Sequence, residues 1–200
     1  KAKRHPWEMF FVGLLYASLS VLLVNWIFGS DAVLSKYSGI LVVTFTVMFS
    51  LPFMYYLIRN EEEKDIEGEG VFRILNQQSR ALMALLWLFL GFIVAYSFFY
   101  VVLPSSNGFR AQVETYCIIN RPANFNECIA NYGIKTTAGT TAFVTSTDRI
   151  LMIFSNNVYV LIFTLVFSLI FGAGAIFVLA WNASVIAAAV GIFSKSSLAN

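Results

Sequence analysis

Long apolar runs separated by short polar segments make up most of this chain. Four of the runs have the length of a membrane-spanning helix, which needs about 20 residues to cross roughly 30 Å of hydrocarbon. They cover residues 7–28, 39–58, 81–103 and 158–180. A further apolar segment, residues 183–193, is too short to cross. The pattern predicts an all-α, polytopic membrane helix bundle that forms a single membrane domain over residues 1–200.

Composition agrees with lipid as the solvent of this chain. Hydrophobic residues make up 58% of it and charged residues 12%, whereas soluble domains average about 25% charged residues. A formal net charge of +2, without a basic cluster that has interleaved aromatic residues, argues against a nucleic-acid partner. The lipid bilayer is therefore the partner that composition indicates.

The polar segments predict the orientation of the helices. With a cytoplasmic N-terminus, eight Lys and Arg residues, Lys195 among them, lie inside and five lie outside, as the positive-inside rule favours for a protein of the cell membrane. Residues 104–148 then form one long extracytoplasmic loop, whose composition predicts turns and short irregular elements. The acidic block at residues 61–70 becomes a solvated inner turn. Residues 71–80 have helical spacing, and lie at the membrane surface or run straight into the third span.

Both cysteines of the chain, Cys117 and Cys128, fall in the outer loop. An oxidising exterior allows such a pair to form a disulfide, which stabilises a loop this short by roughly 2–3 kcal/mol. Two free thiols are the alternative. A metal site is not expected, because the one histidine, His5, lies at the other end of the chain.

No group of residues in the sequence predicts catalysis. The single histidine argues against Ser-His and Cys-His pairs over most of the chain. No Asp, Glu, Lys or Arg lies deep in a predicted span, so proton relays have no obvious carrier. The Gly68-Glu-Gly70 segment lacks the lysine of a phosphate-binding loop. We therefore expect neither an enzyme nor a bound metal or cofactor.

The fourth span and the segment after it contain the most specific pattern. Asn156 and Asn157 stand at the outer end of this span and Asn182 at its inner end; amides in a bilayer need partners. Helix caps and interhelical hydrogen bonds are one interpretation, and contacts with a substrate or ion are the other. Gly172 and Gly174 belong to the same pattern. Rows of small residues at four-residue spacing follow: Ala180, Ser184 and Ala188, and then Ala183, Ala187 and Gly191. Such rows let helix backbones approach closely, within one chain or between subunits.

The order of these residues resembles the core signature of the stage II sporulation protein M family. The resemblance covers about 40 residues: Phe154-Ser-Asn-Asn-Val158, an apolar helix with Gly172-Ala-Gly174, and Asn182 with a small-residue tail through Gly191. Family members have an Asn-Gly pair where this chain has Asn182 and Ala183. They also continue with a His-Gly…Glu segment that this chain does not contain. The earlier spans and the long loop agree with the layout of archaeal members.

The resemblance implies a non-enzymatic integral membrane scaffold. The family's namesake anchors cell-wall-degrading partners at the septal membrane, so we expect assembly with a partner membrane protein or into a homo-oligomer. The alternative function is a transporter or channel component in which Asn156, Asn157 and Asn182 line a polar path. The surroundings of these three amides distinguish the two functions.

Overall fold

The secondary structure is helical, without strands, in the part of the chain that the computed structural model describes. The described residues are 6–31, 33–65, 71–103, 106–121, 124–132, 151, 154–155, 158–159, 161–162, 165–166 and 174–198. Their α-helices are α1 (Glu8–Phe28), α2 (Ser38–Asp65), α3 (Val71–Val102), α4 (Arg110–Asn120), α5 (Phe125–Asn131) and α6 (Gly174–Leu198). Two 3-10 helices, Leu34–Tyr37 and Ser106–Phe109, precede α2 and α4.

Four of the described helices are long and apolar enough to cross a membrane. Their spanning stretches are Glu8–Phe28, Leu34–Tyr55, Leu82–Val102 and Gly174–Lys195. In each stretch at most 44% of the residues are buried inside the structure, so most of this apolar surface faces outward. Only lipid accommodates that much exposed apolar surface on every helix. The predicted all-α multi-pass membrane protein is therefore confirmed.

The four long helices pack as a bundle in which α2 and α3 each contact all three of the others. Helix α1 packs against α2 and α3, and α6 packs against the same two helices from the other side. Gly29, Ser38, Leu103 and Gly108 line one shared cavity. The end of α1, the start of α2 and the end of α3 therefore lie together, at what we call the hairpin end of the bundle. Helices α1 and α3 are parallel, and α2 is antiparallel to both.

Helix α6 also ends at the hairpin end. Gly191 packs directly on the ring of Tyr100 near the end of α3, and the Lys195 Nζ lies 4.9 Å from the centroid of that ring. Three of the four helices thus run in the same direction. Helices α4 and α5 follow α3 at the hairpin end, and α6 begins at the opposite end.

The position of Lys195 corrects the predicted topology. The charge pattern placed Lys195 in the cytoplasm and the cysteine loop outside, but the structure places both at the same end of the bundle. The count of Lys and Arg residues changes from eight against five to seven against six. Charge then gives almost no preference for either orientation.

A labelling experiment checks this topology. In sealed vesicles, a Lys195→Cys variant is expected to react with a membrane-impermeant maleimide from the same side as an Asn120→Cys variant, whose position is exposed on the hairpin. An Asn60→Cys variant near the end of α2 is the control, and it should react only from the other side. Labelling of Lys195→Cys and Asn60→Cys from one common side would contradict the parallel arrangement of α3 and α6.

The boundaries of the last helix also differ from the prediction. The short segment 183–193 was expected to stand apart from the fourth span, but it lies in the middle of α6. Trp181 and Asn182 do not interrupt the helix, and the Asn182 side chain donates to the Val178 carbonyl inside the same helix, at 2.8 Å. Only residues 174–180 of the predicted span 158–180 belong to α6. The described residues at 158–166 are helical, and residues 167–173 lie outside the described part.

The inner connection is more helical than its composition suggested. Helix α2 continues through Pro52 to Asp65, so half of the acidic block forms the last turn of a helix instead of a loop. Residues 71–80 run straight into the third span as the start of α3, which was one of the two alternatives. Both helices therefore extend well past their membrane stretches. The extensions contain charged and polar residues, which water can solvate beyond the hydrocarbon layer.

Asp31 fixes the connection between α1 and α2 at the hairpin end. Its Oδ1 accepts hydrogen bonds from the backbone N–H groups of Leu34 and Val33, both at 2.8 Å. These two bonds satisfy donors that the start of a helix leaves free. They also stabilise the charged carboxylate, and so hold the pKa of Asp31 below its ordinary value.

Candidate functional site

The outer loop contains a helical hairpin that a disulfide holds closed. Helices α4 and α5 contact each other, and Cys117 and Cys128 join them with 5.9 Å between their Cα atoms. The predicted disulfide is therefore present. Both cysteines and Ile129 are buried, so the hairpin has a small core of its own in place of the predicted irregular elements. Residues 133–148 of the predicted loop lie outside the described part.

The hairpin docks on the bundle through an aromatic residue at the start of α4. Phe109 is 1% exposed, and its ring lies 5.5 Å from that of Tyr100 and 6.2 Å from that of Tyr96, centroid to centroid. Phe92 extends this row of rings down α3, at 6.3 Å from Tyr96. Burying Phe109 fully is worth about 1.5–3 kcal/mol, so hairpin and bundle form one body.

A buried amide makes the second docking contact. Gln112 of α4 is fully buried and donates from Nε2 to the Gly39 carbonyl at 2.8 Å. A methyl group on Gly39 would overlap the Gln112 Oε1, so the amide lies flat on the glycine Cα. The Oε1 has no conventional donor, and the Gly39 Cα–H beneath it offers only a weak hydrogen bond. A residue larger than glycine cannot take position 39 while Gln112 keeps this position.

This contact predicts strong coupling between positions 39 and 112. Gly39→Ala is expected to cost about 1–3 kcal/mol of stability by overpacking against the amide. In a Gln112→Ala background the same substitution should cost far less, because the overlapping atoms are gone. Thermal unfolding of the four proteins of this double-mutant cycle in detergent measures the coupling. Equal costs of Gly39→Ala in both backgrounds would show that the docking contact is absent.

Helices α1 and α3 approach each other closely at two glycines. A methyl group on Gly13 would overlap the Leu88 backbone carbonyl, and one on Gly91 would overlap the Phe10 carbonyl and lie 2.8 Å from the Leu14 nitrogen. Each helix thus presents a glycine to the backbone of the other. The sequence pattern did not lead us to predict this interface. The chain nevertheless contains two GxxxA segments, residues 13–17 and 91–95, and this spacing of small residues lets helices approach closely in lipid.

The small-residue rows of α6 pack inside the chain. Every member of the two rows is buried: Ala180, Ser184 and Ala188, and Ala183, Ala187 and Gly191. Their neighbours are α2 and α3, the two spanning helices that α6 contacts in the bundle. Of the two interpretations of these rows, packing within one chain is the one that applies to the described residues.

Gly174 and Asn182, two of the residues that carried the family resemblance, lie on different sides of α6. Gly174 is buried at the start of α6, while Asn182 is exposed on the outer surface of that helix. Asn156, Asn157 and Gly172 lie outside the described residues. The amide of Asn182 therefore faces neither a neighbouring helix of the described bundle nor an internal cavity.

Three buried hydroxyl groups of α2 and α3 bond to each other or to the backbone. The Tyr96 hydroxyl donates to the Thr46 Oγ1 at 2.7 Å, and that oxygen donates to the Val42 carbonyl at 2.9 Å. One turn further along α2, Ser50 Oγ donates to the Thr46 carbonyl at 2.7 Å. The bond between Tyr96 and Thr46 ties α2 to α3, whereas the buried Ser97 Oγ of α3 has no hydrogen-bond partner among the described residues.

The cavity at the hairpin end is too small for most ligands. Its volume is about 80 Å³, and its polar lining comes from Asn25, Ser35 and Ser38. Sites for small molecules have about 300–1,000 Å³, so this cavity suits a few water molecules. Within the described residues there is also no cluster of three His, Cys, Asp or Glu side chains able to hold a metal ion.

Fold and site together define a multi-pass membrane protein with a disulfide-closed helical hairpin docked on one end of its bundle. Comparisons of the chain with protein-family models, with curated proteins and with solved structures find no match.

Proposed function

We propose that this protein is a non-enzymatic membrane scaffold that assembles with itself or with a partner protein and presents its hairpin outside the cell membrane. The observation that carries the proposal is the docking of the hairpin. The disulfide, Phe109 and the Gln112–Gly39 contact hold the hairpin in one position on the bundle. A surface held this firmly suits the binding of another macromolecule, since little conformational freedom is lost on association.

The outward side of the hairpin has the mixed chemistry of a binding surface. Ile118 and Ile119 are each 41% exposed, and they are followed by the exposed residues Asn120 and Arg121. Apolar side chains with a polar and charged rim are typical of sites where proteins dock. The resemblance to the stage II sporulation protein M family supports the same class of function. We also expect a cytoplasmic N-terminus, which places the hairpin outside the cell, where a partner can reach it.

Cross-linking in native membranes tests the proposal. A photo-reactive amino acid at Ile119 is expected to give a discrete product larger than the single chain. The same amino acid at Leu15, which faces outward from α1 inside the membrane stretch, is the control and should not give that product. A chain that remains free of cross-linked protein from both positions, and that purifies as a monomer, would contradict a scaffold.

The same purified protein tests the transport alternative. Sealed liposomes that contain the intact chain are expected to retain small ions and neutral solutes as well as empty liposomes do, because the described interior is packed and its cavity at the hairpin end has a volume of only about 80 Å³. Solute flux that depends on the protein would make a transporter or channel component the better explanation.

A further inference from the structure

The outward face of α6 contains a single amide among apolar side chains. The exposed residues of its membrane stretch are Ala175, Asn182, Ile186, Val190 and Phe193. Asn182 stands eight residues after Gly174, or about 12 Å along the helix axis, and the stretch of 22 residues is about 33 Å long. The amide therefore lies near the middle of the hydrocarbon layer and points away from the bundle.

An amide in this position needs a partner that lipid does not provide. The Asn182 Nδ2 donates one hydrogen to the Val178 carbonyl of its own helix at 2.8 Å. That bond leaves the second amide hydrogen and the carbonyl oxygen for a partner outside the helix. Acyl chains have neither donors nor acceptors, so a second helix that supplies them gains a hydrogen bond on contact.

We propose that this face of α6 binds the same face of a second copy of the chain, with the two Asn182 amides bonded to each other. This inference rests on the proposed scaffold function and names its first partner. Two copies in one bilayer have the same orientation, so the two-fold axis between them is normal to the membrane and their α6 helices are parallel. Asn182 then lies at the same depth in both copies. Because an amide both donates and accepts, the pair exchanges two hydrogen bonds.

The spacing of small residues on this face agrees with a parallel helix pair. Ala175, Asn182 and Ala189 recur every seven residues; Ala175 is exposed and Ala189 is half-buried. Small side chains at these positions let the two helices approach, and one polar residue in a heptad seam fixes the register and the number of helices. Helix α6 contacts α2, α3 and α4 with its other sides, and the exposed face is the one that a second copy can reach.

Disulfide cross-linking of an Asn182→Cys variant tests the interface. Under mild oxidation in liposomes the variant is expected to form a covalent dimer, since the two positions meet across the axis. Cys117 and Cys128 are bonded to each other and buried, so they do not contribute. Leu15→Cys is the matched control: it is exposed on α1 at a similar distance from the same membrane face, and it should remain monomeric.

Two further variants test the amide itself. Asn182→Leu is expected to weaken dimerisation in detergent by about three- to tenfold, the usual effect of one interhelical amide. Asn182→Gln keeps the amide and should restore most of the affinity. Both monomers should retain their unfolding temperature, because the side chain is outside the core.

The outcomes separate this inference from the scaffold function. Failure of Asn182→Cys to cross-link, in a wild-type protein that still assembles, would overturn the α6 interface and leave the scaffold proposal in place; Asn182 would then contact a different protein or another segment of its own chain. A wild-type chain that is monomeric and that shows no partner in native membranes would overturn both.

Discussion

Gly91→Ala is expected to lower the free energy of unfolding by about 1–3 kcal/mol, although it adds only one methyl group. The methyl would overlap the Phe10 backbone carbonyl and lie 2.8 Å from the Leu14 nitrogen. Both neighbours are backbone atoms of α1, which cannot turn aside as a side chain can. The substitution therefore has to separate α1 from α3 along a buried interface, and a residue as large as leucine should prevent this packing altogether.

Gly108→Ala is the matched control for this prediction. A methyl group on Gly108 would meet no atom within 4 Å, so the same substitution there should change stability by no more than about 0.5 kcal/mol. Unfolding of both variants and of the wild type in one detergent, followed by circular dichroism, gives the comparison. Equal stabilities of Gly91→Ala and Gly108→Ala would mean that α1 and α3 do not approach as closely as described.

Removal of the disulfide should have the second large effect. We expect the double variant Cys117→Ser, Cys128→Ser to lose about 3 kcal/mol of stability, from the entropy that a crosslink spanning 11 residues removes from the unfolded chain. The loss should be concentrated in the hairpin, because the cysteines also form its small core with Ile129. Hydrogen exchange in α4 and α5 should then accelerate, while exchange in the interior of α3 stays slow.

A reducing agent distinguishes the disulfide from other effects of these substitutions. Reductant should lower the unfolding temperature of the wild-type protein toward that of the double variant, and it should leave the double variant unchanged. If reductant does not change the unfolding temperature of the wild-type protein, even when the protein has been denatured and refolded in its presence, then the disulfide does not stabilise the hairpin.

Much of the fold could be predicted because lipid imposes simple rules on sequence. Apolar runs of about 20 residues predicted three of the spanning helices with boundaries close to those observed. The pairing of Cys117 with Cys128 was predicted because the loop contains no other cysteine. Both features depend on local composition and on what a bilayer or an oxidising exterior requires, not on which helix neighbours which.

The last helix could not be delimited in this way. A continuous apolar stretch from residue 158 onward has no polar break to mark where a crossing ends, and the composition around Asn182 resembled a helix end. The helix in fact starts at Gly174 and continues to Leu198. Its direction became evident only from the contacts of Gly191 and Lys195 with Tyr100.

The glycines show the same difference between what the sequence predicts and what the tertiary structure decides. Gly172 and Gly174 drew attention because they stand close together in a long apolar run, whereas Gly13, Gly39 and Gly91 looked ordinary. The structure shows that these three sit against a backbone or a buried amide. Whether a glycine is required depends on what lies within a few ångströms of it, and distant parts of the chain supply those atoms.

The sequence by itself determined that this chain is an all-α, multi-pass membrane protein, and it predicted a disulfide in the loop after the third span. Those properties follow from hydrophobic length and from residue type, which are written directly in the order of amino acids. The tertiary structure alone decided that α1, α3 and α6 run parallel, that the hairpin docks through Phe109 and Gln112, and that Asn182 faces outward. Such properties depend on contacts between residues far apart in the chain, and packing between helices selects them only when the whole bundle has formed.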